Sequence, residues 1–530
     1  MSRLDELLRQ LPAFKEWVPM HVRTWSFYAF ILVFQLSGGI YLSALPDMEG
    51  ETALMQEDLL MAGLSSFLGI SMAFPLLFRL KFRLTSRFIL QVTSAGLVAC
   101  NLVTMHCRSV PLLVVTCFIA GMLRMWGTFE CFSTIQLRIT PTRNFAVFFP
   151  VVYATVFGCI QVSGYLTTWL AYHYHWQYMQ LVIIALLLGV FGCTRLLLRP
   201  FHMGKPMPLY SIDWLGALLW STGLGLLIFV ANYGDYYDWF HSPLLCAALA
   251  AGIGCVALNI GRMHHIRHPY IDPQVYRYPK VVPIILLFAA LCLLSSTATV
   301  LQGVFTGVIL GYDSLTAARL NLPSLLGTLA GAAFTLYALT RLHLTYKQLT
   351  VLGFVCVLAY QVECYFLISP ETALGQLYLP VFVRNFGNVI LYIALTTYLQ
   401  QLVPFVFFFQ ALGAVGFIRE GIGSPIANAL TARLFKVVQQ SNAFTLSTSL
   451  DGLDVRSASL PLPQLFGELQ RQSLLVSLKE VYGYAVLLGI LFLLLVLAMR
   501  YRHIVRFVRM PPVEVFKRLL EIRHTGERGN

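Results

Sequence analysis

Charge is what this chain has least of. Only 12% of its 530 residues are Asp, Glu, Lys or Arg, against roughly 25% in soluble domains, so an ordinary water-facing surface is excluded for most of its length. Metal-ligand spacing is missing as well: no CxxC and no Cys/His set of zinc-site form occurs, and no metal site is expected. The 11 cysteines are odd in number. Most sit inside apolar runs (Cys117, Cys131, Cys159, Cys193, Cys255, Cys292), and Cys107, near a loop, has no loop cysteine to pair with, so no structural disulfide is expected. The opening residues, SRLDELLRQLPAFKEW, lack the apolar core and small-residue cleavage site of a signal peptide. They read instead as a charged amphipathic segment lying on the cytoplasmic membrane surface.

What is abundant is apolar sequence, with 58% hydrophobic residues and a mean hydropathy of +0.71. That defines an all-α polytopic membrane protein. Fourteen candidate spans follow from the apolar runs, at about 23–44, 58–78, 88–106, 112–137, 145–171, 177–198, 214–233, 243–261, 281–307, 316–339, 349–368, 380–402, 406–435 and 478–499. The net charge of +13 is spread in short clusters between these runs rather than gathered in one patch, so no nucleic-acid partner is expected. Arg79, Lys81, Arg83 and Arg87 follow the second span, Arg138 and Arg143 the fourth, Arg262, Arg267, Arg277 and Lys280 the eighth. The alternate loops are acidic or neutral, with Asp47, Glu49 and Glu51, then Asp235 and Asp238, then Glu371. An even span count with both termini cytoplasmic satisfies the positive-inside rule throughout. One outside segment, 437–477, is long and polar; it is either a lightly folded loop or a docking surface for a periplasmic partner.

The stretch from Leu112 to Leu137 carries Arg124 and Glu130 inside a run that must cross a bilayer. A charge at mid-membrane costs about 2.5–3.5 kcal/mol on insertion scales, so each must face a partner, the bundle interior or a wet cavity. Six residues on a helix are about 9 Å along the axis and about 120° around it, so the two are not expected to pair with each other. Burial raises carboxylate pKa values, which makes Glu130 the first candidate proton carrier. Arg384, Arg419 and Glu420 carry the same signal in the second half, with Glu420 the second candidate carrier. Arg419 and Glu420 are neighbours about 100° apart on an α-helix, so they are not expected to face the same way. Arg124, Glu130, Arg384 and Arg419 are the candidate cavity residues. Their excess of arginine points to an anionic or amphipathic substrate, such as a fatty or bile acid. Gly121, Gly127, Gly158 and Gly164 are expected at close helix contacts, and Gly421, Gly423 and Pro425 at a bend.

Several segments, in order along nearly the whole chain, resemble one family. The run from Ser211 (SIDWLGALL) is similar to the "DWxGxxLL" that opens the seventh span of fourteen-span drug:proton antiporters, the EmrB/QacA-like branch of the major facilitator superfamily. Ala44-Leu-Pro46 resembles its "ALP", His268 onward (HPYIDP) its "PLxDL", Arg384 onward (RNFG) its "RGxG", and Phe417 onward (FIREGIGS) its "RQxGGSxG". Elsewhere the chain departs. Phe78 to Arg87 keeps the basic residues but not the Asp and glycines of "GxLADRxGRR", Ser37 stands where the family has a first-span carboxylate, and Gly164 alone remains of "GPxxGG".

The resemblance implies a major facilitator fold: a lobe of six spans over 1–200, a two-span insert over 201–280 and a second six-span lobe over 281–530 with a basic C-terminal tail. It implies a secondary active exporter in a bacterial inner (plasma) membrane that releases amphipathic small molecules or drugs by alternating access. No cofactor is expected, the proton gradient supplying the energy. A periplasmic adaptor and an outer-membrane channel are the implied partners, besides the lipid bilayer. Two other classes stay open: a membrane-embedded lipid enzyme, for which His264, His265 and His268 lack acids other than Asp272, and a non-transporting sensor or scaffold.

Overall fold

The computed structural model describes residues 13–39, 41–140, 144–201, 212–448 and 461–499. Apolar runs with almost no internal charge leave the backbone no partner in lipid but itself, and the described residues accordingly form long helices. In chain order these are α1 (Met20–Leu36), α2 (Gln56–Arg83), α3 (Ser86–His106), α4 (Val110–Ile139), α5 (Phe145–His173), α6 (Gln177–Leu197), α7 (Trp214–Tyr233) and α8 (Pro243–Met263). Then come α9 (Val281–Val304), α10 (Asn321–Thr340), α11 (Tyr346–Leu367), α12 (Tyr378–Leu402), α13 (Phe405–Gly416), α14 (Gly423–Thr448) and α15 (Leu462–Ala498). Twelve helices among the described residues are long and apolar enough to cross a membrane. Two expected spans take another form. The helix α1 has only 17 residues, and the run expected at 406–435 is divided between α13 and α14 by a π-helical turn, Phe417–Ile422. Leu112, Val115, Ile119, Leu188, Leu258 and Leu326 point outward and exposed, as a lipid-facing surface requires. The protein is a multi-pass membrane protein.

Glycine lets α2 and α4 cross almost backbone to backbone. A Cβ on Gly69 would lie 2.1 Å from the Phe118 carbonyl oxygen, and one on Gly121 would lie 2.0 Å from that of Ser66. The second half repeats the device where a Cβ on Gly327 would meet the Phe382 carbonyl oxygen at 2.4 Å, between α10 and α12. Of the spans, α2 has the most buried apolar window; it is the post around which the first half is arranged.

The hairpin α7–α8 packs on the outside of α2 and also reaches the second half. Asp213 caps α7 by accepting from the Gly216 N–H at 2.9 Å and takes both Arg262 terminal nitrogens at 2.9 and 2.7 Å, tying the foot of α7 to α8. The Tyr233 hydroxyl donates to buried Asp58 on α2, while Trp220 meets Phe417 with ring centroids 5.1 Å apart. The insert therefore lines the seam between the halves.

Two expectations change at the ends of the fold. Residues 1–12 of the amphipathic N-terminus lie outside the described residues, but Ala13, Phe14 and Val18 are buried in the bundle rather than laid on its surface. Phe14 stacks edge-on against Phe27 at 4.9 Å. Much of the outside segment is helix: α14 continues to Thr448, and α15 starts at Leu462 and runs 37 residues. At 1.5 Å per residue α15 is about 55 Å long, well beyond a hydrocarbon core of about 30 Å. Asn442 donates to Glu480 at 2.9 Å and Ser473 to the Gln439 carbonyl at 2.9 Å, joining the projecting ends. Residues 449–460 and the basic tail from 500 onward lie outside the described residues.

Candidate functional site

A cavity of about 270 Å³ lies between the halves, walled by α2, α4 and α5 on one side and by α12, α13 and the π-helical turn on the other. Phenylalanine is the commonest residue on its wall. Among the described residues the charged ones on it are Lys81, Arg124, Arg419 and Glu420.

Arg124 reaches the cavity from α4. One terminal nitrogen donates to the Gln35 side-chain oxygen on α1 at 3.1 Å, and Gln35 is itself aimed by donating to Thr128 at 3.0 Å. The Nε of Arg124 is buried without a hydrogen-bond partner. Among the described residues no carboxylate forms an ion pair with it.

Glu130 lies six residues further along α4 and is fully buried. It is not on the cavity wall. It accepts from Lys81 of α2 at 3.2 Å, and Lys81 in turn donates to Ser133 at 2.6 Å and to Thr134 at 3.2 Å. Lys81 corrects the sequence reading, which put it in a basic loop: it is on the last turn of α2, 5% exposed, and faces inward. Its register was visible, because Phe74, Leu77 and Phe78 precede it by seven, four and three residues and share its face of the helix, the first two of them buried.

Arg419 and Glu420 both line the cavity, contrary to the expectation that they diverge. The π-helical turn is the reason. Its i→i+5 bonding widens the turn, and Arg419 Nε donates to Glu420 Oε1 at 2.7 Å. Gly423 makes room for the turn, since a Cβ there would lie 2.1 Å from the Ile418 carbonyl oxygen. Arg419 also donates to the Tyr153 hydroxyl at 2.6 Å across the interface between the halves. Tyr153 pairs with Thr396 at 2.8 Å. The rings of Tyr153, Phe288 and Tyr392 surround the guanidinium at 5.7, 5.8 and 5.5 Å, contacts that stabilise a desolvated cation.

Arg384 is placed elsewhere. It is absent from the cavity wall and sits within the second half, donating to Gln302 at 3.2 Å and lying 5.1 Å from the Tyr360 ring centroid.

Aromatic rings close the cavity toward the end that holds the α2–α3, α4–α5 and α12–α13 turns. Phe78 of α2 meets Phe409 of α13 at 4.2 Å and Phe405 at 5.4 Å, and Phe145 of α5 meets Phe408 at 6.0 Å. At the opposite end the halves touch directly, where a Cβ on Gly164 of α5 would stand 3.2 Å from Asn321 at the start of α10. The phenylalanines and Tyr153 gave no signal in sequence, being indistinguishable there from lipid-facing residues.

No protein-family profile and no curated protein matches the chain. Solved structures do. A mutant of the peptide transporter POT in complex with sulfate aligns over 94% of this chain and 98% of its own, with a TM-score of 0.58 at 14% identity. An auto-inhibited POT family peptide transporter aligns over 91% and 98%, with a TM-score of 0.52 at 16% identity. A mutant of the nucleoside transporter NupG aligns over 89% and 98%, with a TM-score of 0.53 at 12% identity. The chain shares the overall fold of these solved structures, with the cavity between its two halves.

Proposed function

We propose that this protein is a secondary active transporter that exports amphipathic small molecules from a bacterial cell in exchange for protons, by alternating access through the central cavity. The observation that carries the reading is the cavity itself: an aromatic-rich chamber between the two halves, with Arg124, Arg419 and Glu420 on its wall from within the apolar helical runs. Charges are costly in such a place and persist where they serve a pathway. Counting α1 and the divided α13–α14 run as crossings brings the total to fourteen, and the loop charges then put both termini in the cytoplasm. The export direction and the drug-antiporter branch rest on the sequence resemblance, as do the adaptor and outer-membrane channel. For those two partners, the projecting ends of α14 and α15 are the surface on offer.

Glu420 is the favoured proton carrier. Its carboxylate is on the cavity wall and partly exposed, with Arg419 as the partner that a proton would displace. Glu130 is second, since a proton must first break its sealed pair with Lys81. The test is substrate-driven proton flux in proteoliposomes with wild type, Glu420→Gln and Glu130→Gln. The expected result is proton movement opposite to substrate in wild type and loss of coupled flux in Glu420→Gln. Proton and substrate moving together would overturn the direction. Unchanged coupling in Glu420→Gln would reject it as carrier.

A further inference from the structure

The charges around the cavity do not balance. Lys81 is matched by Glu130 at 3.2 Å and Arg419 by Glu420 at 2.7 Å. Arg124 has no ion pair among the described residues, so three cations face two carboxylates and one positive charge is left over. A cation in an apolar chamber is stable only when something compensates it. Its geometry is also that of a receptor. Thr128 fixes Gln35, Gln35 takes one terminal nitrogen, and the buried Nε has no acceptor among the described residues. Arginine presents its donors in a planar fork that suits carboxylate or a similar oxyanion. The rest of the cavity wall is largely apolar, with Phe74, Met125, Phe157 and Ile160 among the lining residues.

We infer that Arg124 anchors the anionic group of an amphipathic monoanion, such as an aryl or alkyl carboxylate or sulfonate, whose apolar body fills the phenylalanine chamber. The inference deepens the transport reading in that it takes the cavity for the substrate site; it holds for either direction of transport. The volume of about 270 Å³ sits just below the roughly 300–1,000 Å³ of pockets for drug-sized ligands, so one ring or a medium chain fits and a steroid-sized body requires the lobes to part. A single surplus charge selects one anionic group over two. Primary amines of the same shape are rejected, because they would bring a second unpaired cation beside Arg124.

The test compares phenylhexanoate, phenylhexanol and phenylhexylamine by isothermal titration calorimetry on the purified full-length chain. Hydrogen bonds to charged groups contribute about 1.5–3 kcal/mol each, so wild type is expected to bind the carboxylate about 10- to 100-fold more tightly than the alcohol. The amine should bind weakest. In Arg124→Gln the carboxylate should bind no better than the alcohol, with a thermal melt like that of wild type reporting an intact fold. Arg124→Lys, which keeps the charge but not the fork, should fall between. Equal binding of amine and carboxylate in wild type, or no carboxylate binding at all, overturns the inference without reference to any variant. A carboxylate preference that survives Arg124→Gln also overturns it. Should the carboxylate bind as expected and yet no flux be seen in proteoliposomes, the transport reading falls and the anion site stands.

Discussion

Lys81 and Glu130 show how a residue's worth depends on its partner. Each is nearly inaccessible, and neither charge has solvent to fall back on. Lys81→Met would leave the buried Glu130 carboxylate without its cation, with the Thr134 hydroxyl at 3.3 Å as its remaining side-chain donor among the described residues. Breaking one side of a buried pair costs about 3–5 kcal/mol, whereas exchanging both sides for apolar residues of similar size is close to neutral. Thermal unfolding in detergent should therefore show Lys81→Met well below wild type and the double variant Lys81→Met/Glu130→Leu restored most of the way. Equal melting of the single and double variants would mean that the pair adds nothing to stability. Sequence reading found Glu130 and Arg124 because a charge in the middle of an apolar run is conspicuous. It missed Lys81, two residues from the end of its helix, because it grouped it with the basic cluster of the loop and did not follow the register of Phe74 and Leu77. It grouped Arg384 with the cavity residues because a charge in a span tells that an interior partner exists, but not which interior.

Helix crossings carry the next level. The α2–α4 contact that brings Lys81 to Glu130 depends on two positions without a Cβ, Gly69 and Gly121. Gly121→Val must push the helices apart, since backbone cannot yield as a side-chain tip does. The expected cost is at least the 1–3 kcal/mol or so typical of overpacking, read as a lower melting temperature; an unshifted melt would show that the crossing is looser than described. The α7–α8 insert is held by Asp213. Burial pushes its carboxyl up, but the Arg262 pair and backbone N–H groups outweigh that and hold it below the usual carboxylate range. A depressed folded-state pKa means that its stabilisation is complete above the ordinary carboxylate pKa and is lost as pH falls through the folded value. Asp213→Asn is accordingly expected to lower the melting temperature near neutral pH and to weaken its fall toward acid; identical acid profiles would sink that assignment. The helices themselves were legible from apolar runs and loop charges. The π-helical turn was not. Gly421, Gly423 and Pro425 signalled irregularity near it, but the facing of Arg419 and Glu420 follows from an extra residue in the turn that no spacing rule for α-helices contains.

At the scale of the whole molecule the claim is that two lobes alternate around one chamber. The structure holds them together by direct contact at the Gly164–Asn321 end and by phenylalanine rings at the other. The lobes and the insert could be read from the order of the short family-like segments, because each is a local run. The chamber could not, because it is assembled from distant helices whose aromatic residues resemble any others in a span. The most direct measurement is a reversible lock on one end. Cysteines introduced as Gly164→Cys and Asn321→Cys, in a background with the native cysteines replaced, are close enough to join in this conformation. The account predicts that oxidation forms the bond and stops substrate flux in proteoliposomes, and that reduction restores it. Full flux with the bond in place would contradict alternating access through this cavity.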